Sequence, residues 1–217
     1  LSDTLISRQG EDLQMNLANA IWAQKKYAFL DEYFDLTKQY YNSGFHYVDF
    51  ANQSETARNK INKWVEDQTK GKIENLIGEG VLDANTKMVL ANAIYFFGKW
   101  SEPFNPRQTK PATFYMENKN EVTTRFMNLG KAKFPYMENN MLQALEMPYG
   151  DGGYSMVVLL PKPGQGLDRV ERYLTGINFE NWIKGMEEKK VEVKFPKFKT
   201  ESSFSLSGEL SQMGMSV

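Results

Sequence analysis

Cysteine is absent from the 217 residues. That excludes thiol catalysis, disulfides and thiolate metal sites, though it does not fix the compartment. Histidine occurs once, as His46. A Ser-His-Asp triad would have to use it, and no nucleophile-elbow sequence accompanies it. No apolar run approaches the roughly 20 residues needed to cross a bilayer as a helix. No basic, apolar, small-residue leader opens the chain. It begins at Leu1 rather than Met, so the natural N-terminus is expected to lie outside this sequence. Charge of one sign is also missing. Twenty-six Lys and Arg against 27 Asp and Glu give a net charge of −1. That balance argues against nucleic acid, whose binders concentrate cations on one face. The expectation is no nucleic-acid partner and no membrane partner.

What is present suits a packed core: 41% hydrophobic residues, 13% of all residues aromatic. The first half alternates strands and helices. Leu13 to Gln24, "LQMNLANAIWAQ", reads as a strand, and "LDEYFDLTKQYYNSG" as a helix ending near Gly44. "FHYVDF" is a short strand in which His46 alternates with Phe45 and Tyr47, so His46 is expected to point away from the core. "NQSETARNKINKWVEDQTKG" is the clearest helix. Asn52 and Glu55 have capping-box spacing, Ala57, Ile61, Trp64 and Val65 form its apolar stripe, and Gly71 ends it. "TKMVLANAIYFFGKW" follows as a long strand. Helical crossovers of this length normally join parallel strands of one sheet. The two "LANAI" strands, which carry Asn19 and Asn92 at the same point, are therefore expected to share a sheet.

The second half reads as short strands: "ATFYM", "VTTRFMNL", "KFPYME", "MLQALEMPY" and "YSMVVLLP", with turns at "ENN" and "GDGG". Helices are expected over "LDRVERYL" and "NFENWIKGM". In "KKVEVKFPKF", Val191, Val193 and Phe195 alternate with lysine and glutamate, as in a half-exposed strand whose pairing Pro196 limits. "SFSLSGELSQMG" reads as a short terminal helix. No linker or composition boundary interrupts the chain. The fold class is α+β, mixed α and β with several sheets in one domain over residues 1–217.

Little here carries chemistry. "GQG" lacks the third glycine and the "GK[ST]" of a phosphate loop. Metal-ligand spacing is absent, and no cofactor is implied. Lys25–Lys26 is too small for a polyanion site.

"NAIYFFGKWSEPF" (Asn92 to Phe104) closely resembles the third main-sheet strand of serpins, commonly N-A-I-Y-F-K-G-x-W-x-x-x-F. "ARNKINKWVEDQTKGKIENLI" resembles the helix lying across that sheet, and "LANAIWAQKKY" its second strand. "VEVKFPKFKTESSFSLSGELSQMGM" resembles the strand, bend and helix before the reactive loop. The matches run in order from end to end. One departure is Phe97, where the family usually has Lys. The hinge, reactive loop and C-terminal F-x-x-D-H-P-F segment of the family are not in this sequence, nor are its first helices. The chain is thus expected to be a central part of a serpin domain, incomplete at both ends and poorly stable alone.

The resemblance implies a serpin-like fold, with a large central sheet covered by helices and smaller antiparallel sheets. It implies no catalytic residue. It implies instead an inhibitor of serine endopeptidases, or of cysteine ones, that inserts its cleaved reactive loop into the main sheet and traps the protease covalently. The alternative on the same scaffold is a non-inhibitory carrier, chaperone or storage protein. The expected partner is a target protease, and the complete protein is expected to be a monomer secreted to an extracellular or periplasmic space. By resemblance, Asn92 matches the shutter under the middle of the sheet, and Trp100 and Lys197 match the breach where insertion begins. A buried amide at Asn92 would favour particular strand arrangements, because an unpaired one costs about 1–3 kcal/mol. Asn19 is read as satisfying its own local backbone.

Overall fold

The computed structural model describes residues 10–41, 44–118, 120–202 and 211–214. They form β1 (Leu13–Gln24), α1 (Asp31–Tyr41), β2 (Gly44–Val48), α2 (Phe50–Gln68), β3 (Met88–Gly98), β4 (Lys110–Tyr115), β5 (Glu121–Glu138), β6 (Leu142–Tyr149), β7 (Tyr154–Pro161), α3 (Leu167–Tyr173), α4 (Gly176–Lys184) and β8 (Glu187–Pro196). Two compact units result. The first comprises residues 1–101 with 148–156, the second residues 102–147 with 157–217.

In the first unit the strands lie in the order β2-β1-β3. β2 runs parallel to β1, as the helical crossover requires. β3 is antiparallel to β1, which corrects the expectation of parallel strands. The segment between α2 and β3 causes the reversal. After α2 the chain turns back along the helix: Ile77 is bonded to Arg58 and Asn62, and the amide of Gly80 donates to Glu55. It then enters β3 beside the end of β1, where the Gln24 amide donates to the Lys87 carbonyl at 2.8 Å.

Residues opposite each other in an antiparallel ladder share a face. One face of the β1–β3 pair therefore carries Ala20, Trp22, Val89 and Ala91, and α2 covers it. Phe50, Ala57 and Ile61 complete that core with Val48 and Leu82. The helix starts one turn earlier than its sequence signals. The capping residue is Asp49, whose carboxylate accepts from the Asn52 amide, and Glu55 instead pairs with Arg58 at 2.7 Å. Gln24 adds a second cap. Its Oε1 accepts from the amides of Phe50 and Ala51 at 2.6 and 3.1 Å. These two donors begin a helix and have no intrahelical partner.

His46 is also corrected. It stands opposite Trp22 in the β1–β2 ladder and stacks on it, with ring centroids 4.2 Å apart, so it faces the core. Tyr47 is the residue that points out.

In the second unit the order is β4-β5-β6-β7, with β8 paired to the long strand β5. The two strands expected at "VTTRFMNL" and "KFPYME" are one, of 18 residues, with a register shift between Leu129 and Ala132. Such an irregularity bends a strand without ending it. Leu142, Ala144, Val170 and Trp182 form this unit's core under α3 and α4. Most of the expected terminal helix lies outside the described residues.

Candidate functional site

The sequence points to three residues, Asn92, Trp100 and Lys197. Asn92 sits in the middle of β3, on the face away from α2. Its neighbours on that face, Leu90, Ile94 and Phe96, are 63%, 54% and 43% exposed. Asn92 is exposed as well, which corrects the expectation of a buried amide. Its Nδ2 donates to Oδ1 of Asn19 at 2.8 Å and lies 3.4 Å from the Ala18 carbonyl. Asn19 is its register partner on β1. Asn19 therefore engages the neighbouring strand, where local backbone pairing was expected. The two amides thus add a side-chain bond to the β1–β3 ladder at this register position. A cavity of about 400 Å³ opens beside it, lined by Ile21, Leu90, and Tyr33 and Thr37 of α1.

Trp100 follows β3 by two residues. Its ring stacks on Tyr149 with centroids 4.4 Å apart and planes 16° from parallel, and the two residues form an isolated antiparallel bridge. Backbone bonds brace the bridge on either side. The Gly150 amide donates to Lys99 at 2.8 Å and the Ser101 amide to Pro148 at 2.9 Å. Lys99 in turn pairs with Asp12 at 2.7 Å. Sequence reasoning missed Tyr149, which holds the arrangement together: Phe96 also meets its ring edge-on at 5.1 Å. Burial pushes its phenol pKa up. A signal existed in Gly98. A Cβ there would stand 2.7 Å from the Tyr149 ring, so only glycine lets that ring lie across the end of β3. Phe97, the departure from the family pattern, stands opposite Gln14 on the face that α2 covers.

Lys197 belongs to the second unit and is exposed. Its amide donates to the Arg125 carbonyl at 2.8 Å, and its carbonyl accepts from Thr124 Oγ1 at 3.2 Å. Its backbone is thus fixed just past β8, while its ammonium makes no ion pair among the described residues. The described residues contain no cluster of metal-ligating side chains.

These features define an α+β protein organised around a helix-covered sheet, with polar and aromatic fixings at the middle and end of one edge strand. The family model described as Serpin (serine protease inhibitor) matches residues 2–217. The chain belongs to the serpin family. It is 39% identical to human Serpin B3, over 98% of this chain and 55% of that protein. It is 40% identical to mouse leukocyte elastase inhibitor A, over 97% of this chain and 57% of that one. A solved structure of ovalbumin from emu superposes with a TM-score of 0.85 at 32% identity, covering 98% of this chain and 56% of the ovalbumin. The chain thus spans somewhat more than half the length of these relatives. The expectation of secretion is overturned here. Serpin B3 and the leukocyte elastase inhibitors are intracellular serpins, which speaks against secretion.

Proposed function

We propose that the protein to which this chain belongs inhibits serine endopeptidases by inserting its cleaved reactive loop into the β2-β1-β3 sheet. What supports this reading is membership of the serpin family together with the similarity to proteins named leukocyte elastase inhibitor. Loop insertion in serpins is an established case of strand addition to a sheet, and β3 is the strand of this sheet that resembles the family's third main-sheet strand. The fixings along β3 suit a controlled insertion. Asn92 bonds Asn19 at the middle, and Trp100 on Tyr149 holds its end.

In this reading the protease serine attacks the scissile carbonyl of the loop, the amine leaves with a proton, and an ester joins the two proteins. Insertion of the freed segment beside β3 then outruns hydrolysis of that ester. The inhibitor supplies no catalytic group.

The test uses the full product of the gene with a panel of serine and papain-like proteases, elastases included. A protease–inhibitor band that survives denaturing electrophoresis is the expected result. Cleavage of the loop throughout the panel, with no such band and no rise in melting temperature, would refute insertion and leave a carrier or storage role.

A further inference from the structure

Among the described residues, three other than glycine have positive φ: Lys26, Lys70 and Asn75. α2 ends in a Schellman motif: the Gly71 amide donates to Glu66 at 2.8 Å and the Lys70 amide to Asp67 at 3.3 Å. In this motif the residue after the cap is left-handed and is usually glycine. Here it is Lys70, at φ 52°. A lysine there carries strain that glycine would not, which directs attention to what its side chain does.

The side chain of Lys70 reaches both strands beneath it. Nζ donates to Oε1 of Gln14 on β1, and it lies 5.1 Å from the ring centroid of Tyr95 on β3. Asn16 of β1 reinforces the same turn, donating to the carbonyl and Oε1 of Gln68 at 2.9 and 3.0 Å. The fixing is polar throughout. A cavity of about 470 Å³ lies here, lined by Gln14, Asn16, Gln68, Lys70 and Tyr95. The earlier turns of α2 rest on the apolar core through Ala57 and Ile61. The helix is therefore bound by buried apolar surface along its length and by a releasable polar clasp at its end.

We propose that Lys70 is a positioning residue that clasps the end of α2 to β1 and β3 together. It holds β3 in its present placement against the helix and so slows acceptance of a new strand at β3's edge. The inference rests on the insertion reading above. Ordinary capping would favour glycine at this position, so stability and restraint are separated in one residue.

The experiment compares Lys70→Met, Lys70→Arg and Lys70→Gly in the full gene product. Lys70 is exposed, so none of the three disturbs a core. Hydrogen exchange at the Gly71 and Ile73 amides reads the clasp directly. Loss of one charged contact should speed it about fivefold in Lys70→Met, and Lys70→Arg should restore it. Conversion to the loop-inserted inactive form on warming should be faster in Lys70→Met. It should also be faster in Lys70→Gly, although that variant unfolds at a higher denaturant concentration. A lysine with a merely structural role would couple the two, and the stabler glycine variant would convert more slowly. That result, or unchanged exchange in Lys70→Met, overturns the proposal. A wild-type protein that neither traps a protease nor converts refutes the insertion reading instead, and exchange in the methionine variant alone then decides for or against the clasp.

Discussion

Nδ2 of Asn92 donates to Oδ1 of Asn19 across 2.8 Å, and the two are direct partners in the antiparallel β1–β3 ladder. The repeated "LANAI" thus has a structural meaning. Antiparallel pairing brings the third residues of the two repeats opposite each other, so Ala18–Ala93, Asn19–Asn92 and Ala20–Ala91 follow in register. The alanines keep the strands thin where α2 crosses, and the asparagines add a side-chain bond across the ladder.

This pairing makes Asn92→Ala informative. A cross-strand pair of this kind is worth roughly 0.2–1 kcal/mol. A double-mutant cycle with Asn19→Ala should return a coupling in that range, read by denaturant unfolding of the full gene product. Asn92→Ala should also hasten conversion to the inserted or polymerised form on warming. Additive single effects would show that the two amides do not act together, and unchanged conversion kinetics would remove Asn92 from sheet opening.

Gly98 permits the contact between Tyr149 and the end of β3. In Gly98→Ala the new methyl would meet Cδ1 and Cγ of Tyr149 at 2.7 and 2.9 Å and Cζ of Phe96 at 3.1 Å. Overpacking of this severity costs about 1–3 kcal/mol. Displacing the Tyr149 ring also unstacks Trp100, so its fluorescence should shift with the loss of stability. Adding Tyr149→Ala should make the alanine at position 98 nearly neutral. An equal cost in both backgrounds would place the strain elsewhere.

Gln24 and Asp49 begin α2 by different means, and they respond differently to pH. Gln24 is buried, and Gln24→Leu leaves the Phe50 and Ala51 amides without their acceptor. A loss of about 1–3 kcal/mol is expected at any pH. The carboxylate of Asp49 is held below its ordinary value of 3.8, chiefly by the bonds from Asn52. A lowered folded-state pKa stabilises above the unfolded value and loses that contribution as pH falls through the folded one. Asp49→Asn keeps a capping oxygen but cannot ionise. The stability difference between wild type and Asp49→Asn should therefore be full at neutral pH and shrink on acidification below about 4. A difference that grows in acid would contradict this assignment.

Much of the fold could be read from local pattern. The stripe Ala57, Ile61, Val65 foretold the buried face of α2, and the alternation around Val193 foretold the half-exposed β8. The errors lie where a distant partner decides. Periodicity within "FHYVDF" cannot say that His46 will meet Trp22 across a ladder. Capping-box spacing at Asn52 was outcompeted by Asp49, which Gln24 supports from another strand. Asn92 was recognised by resemblance, but its partner and its exposure depend on which elements cover that face. The direction of β3 was misjudged because the link before it contains no regular element. Its course is written in side-chain bonds to the helix.

Those bonds give the last prediction. Asn62 clamps Ile77 on both sides, accepting from its amide and donating to its carbonyl, each at 2.9 Å. Arg58 adds a bond to the same carbonyl at 3.1 Å. Asn62 thereby mimics one rung of a strand pair and directs residues 69–87 back along α2 toward β3. In Asn62→Ala, Ile77 keeps only the arginine bond, and roughly 1–3 kcal/mol should be lost. The damage should be local first: exchange at the Ile77 amide and proteolytic cutting within residues 71–87 should both accelerate before global unfolding. Asn62→Asp should fall between the two, since a carboxylate still accepts from the amide but repels the carbonyl. A uniform rise in exchange across β1 and β3, with no early cutting of the link, would mean that the returning segment and the sheet open as one unit.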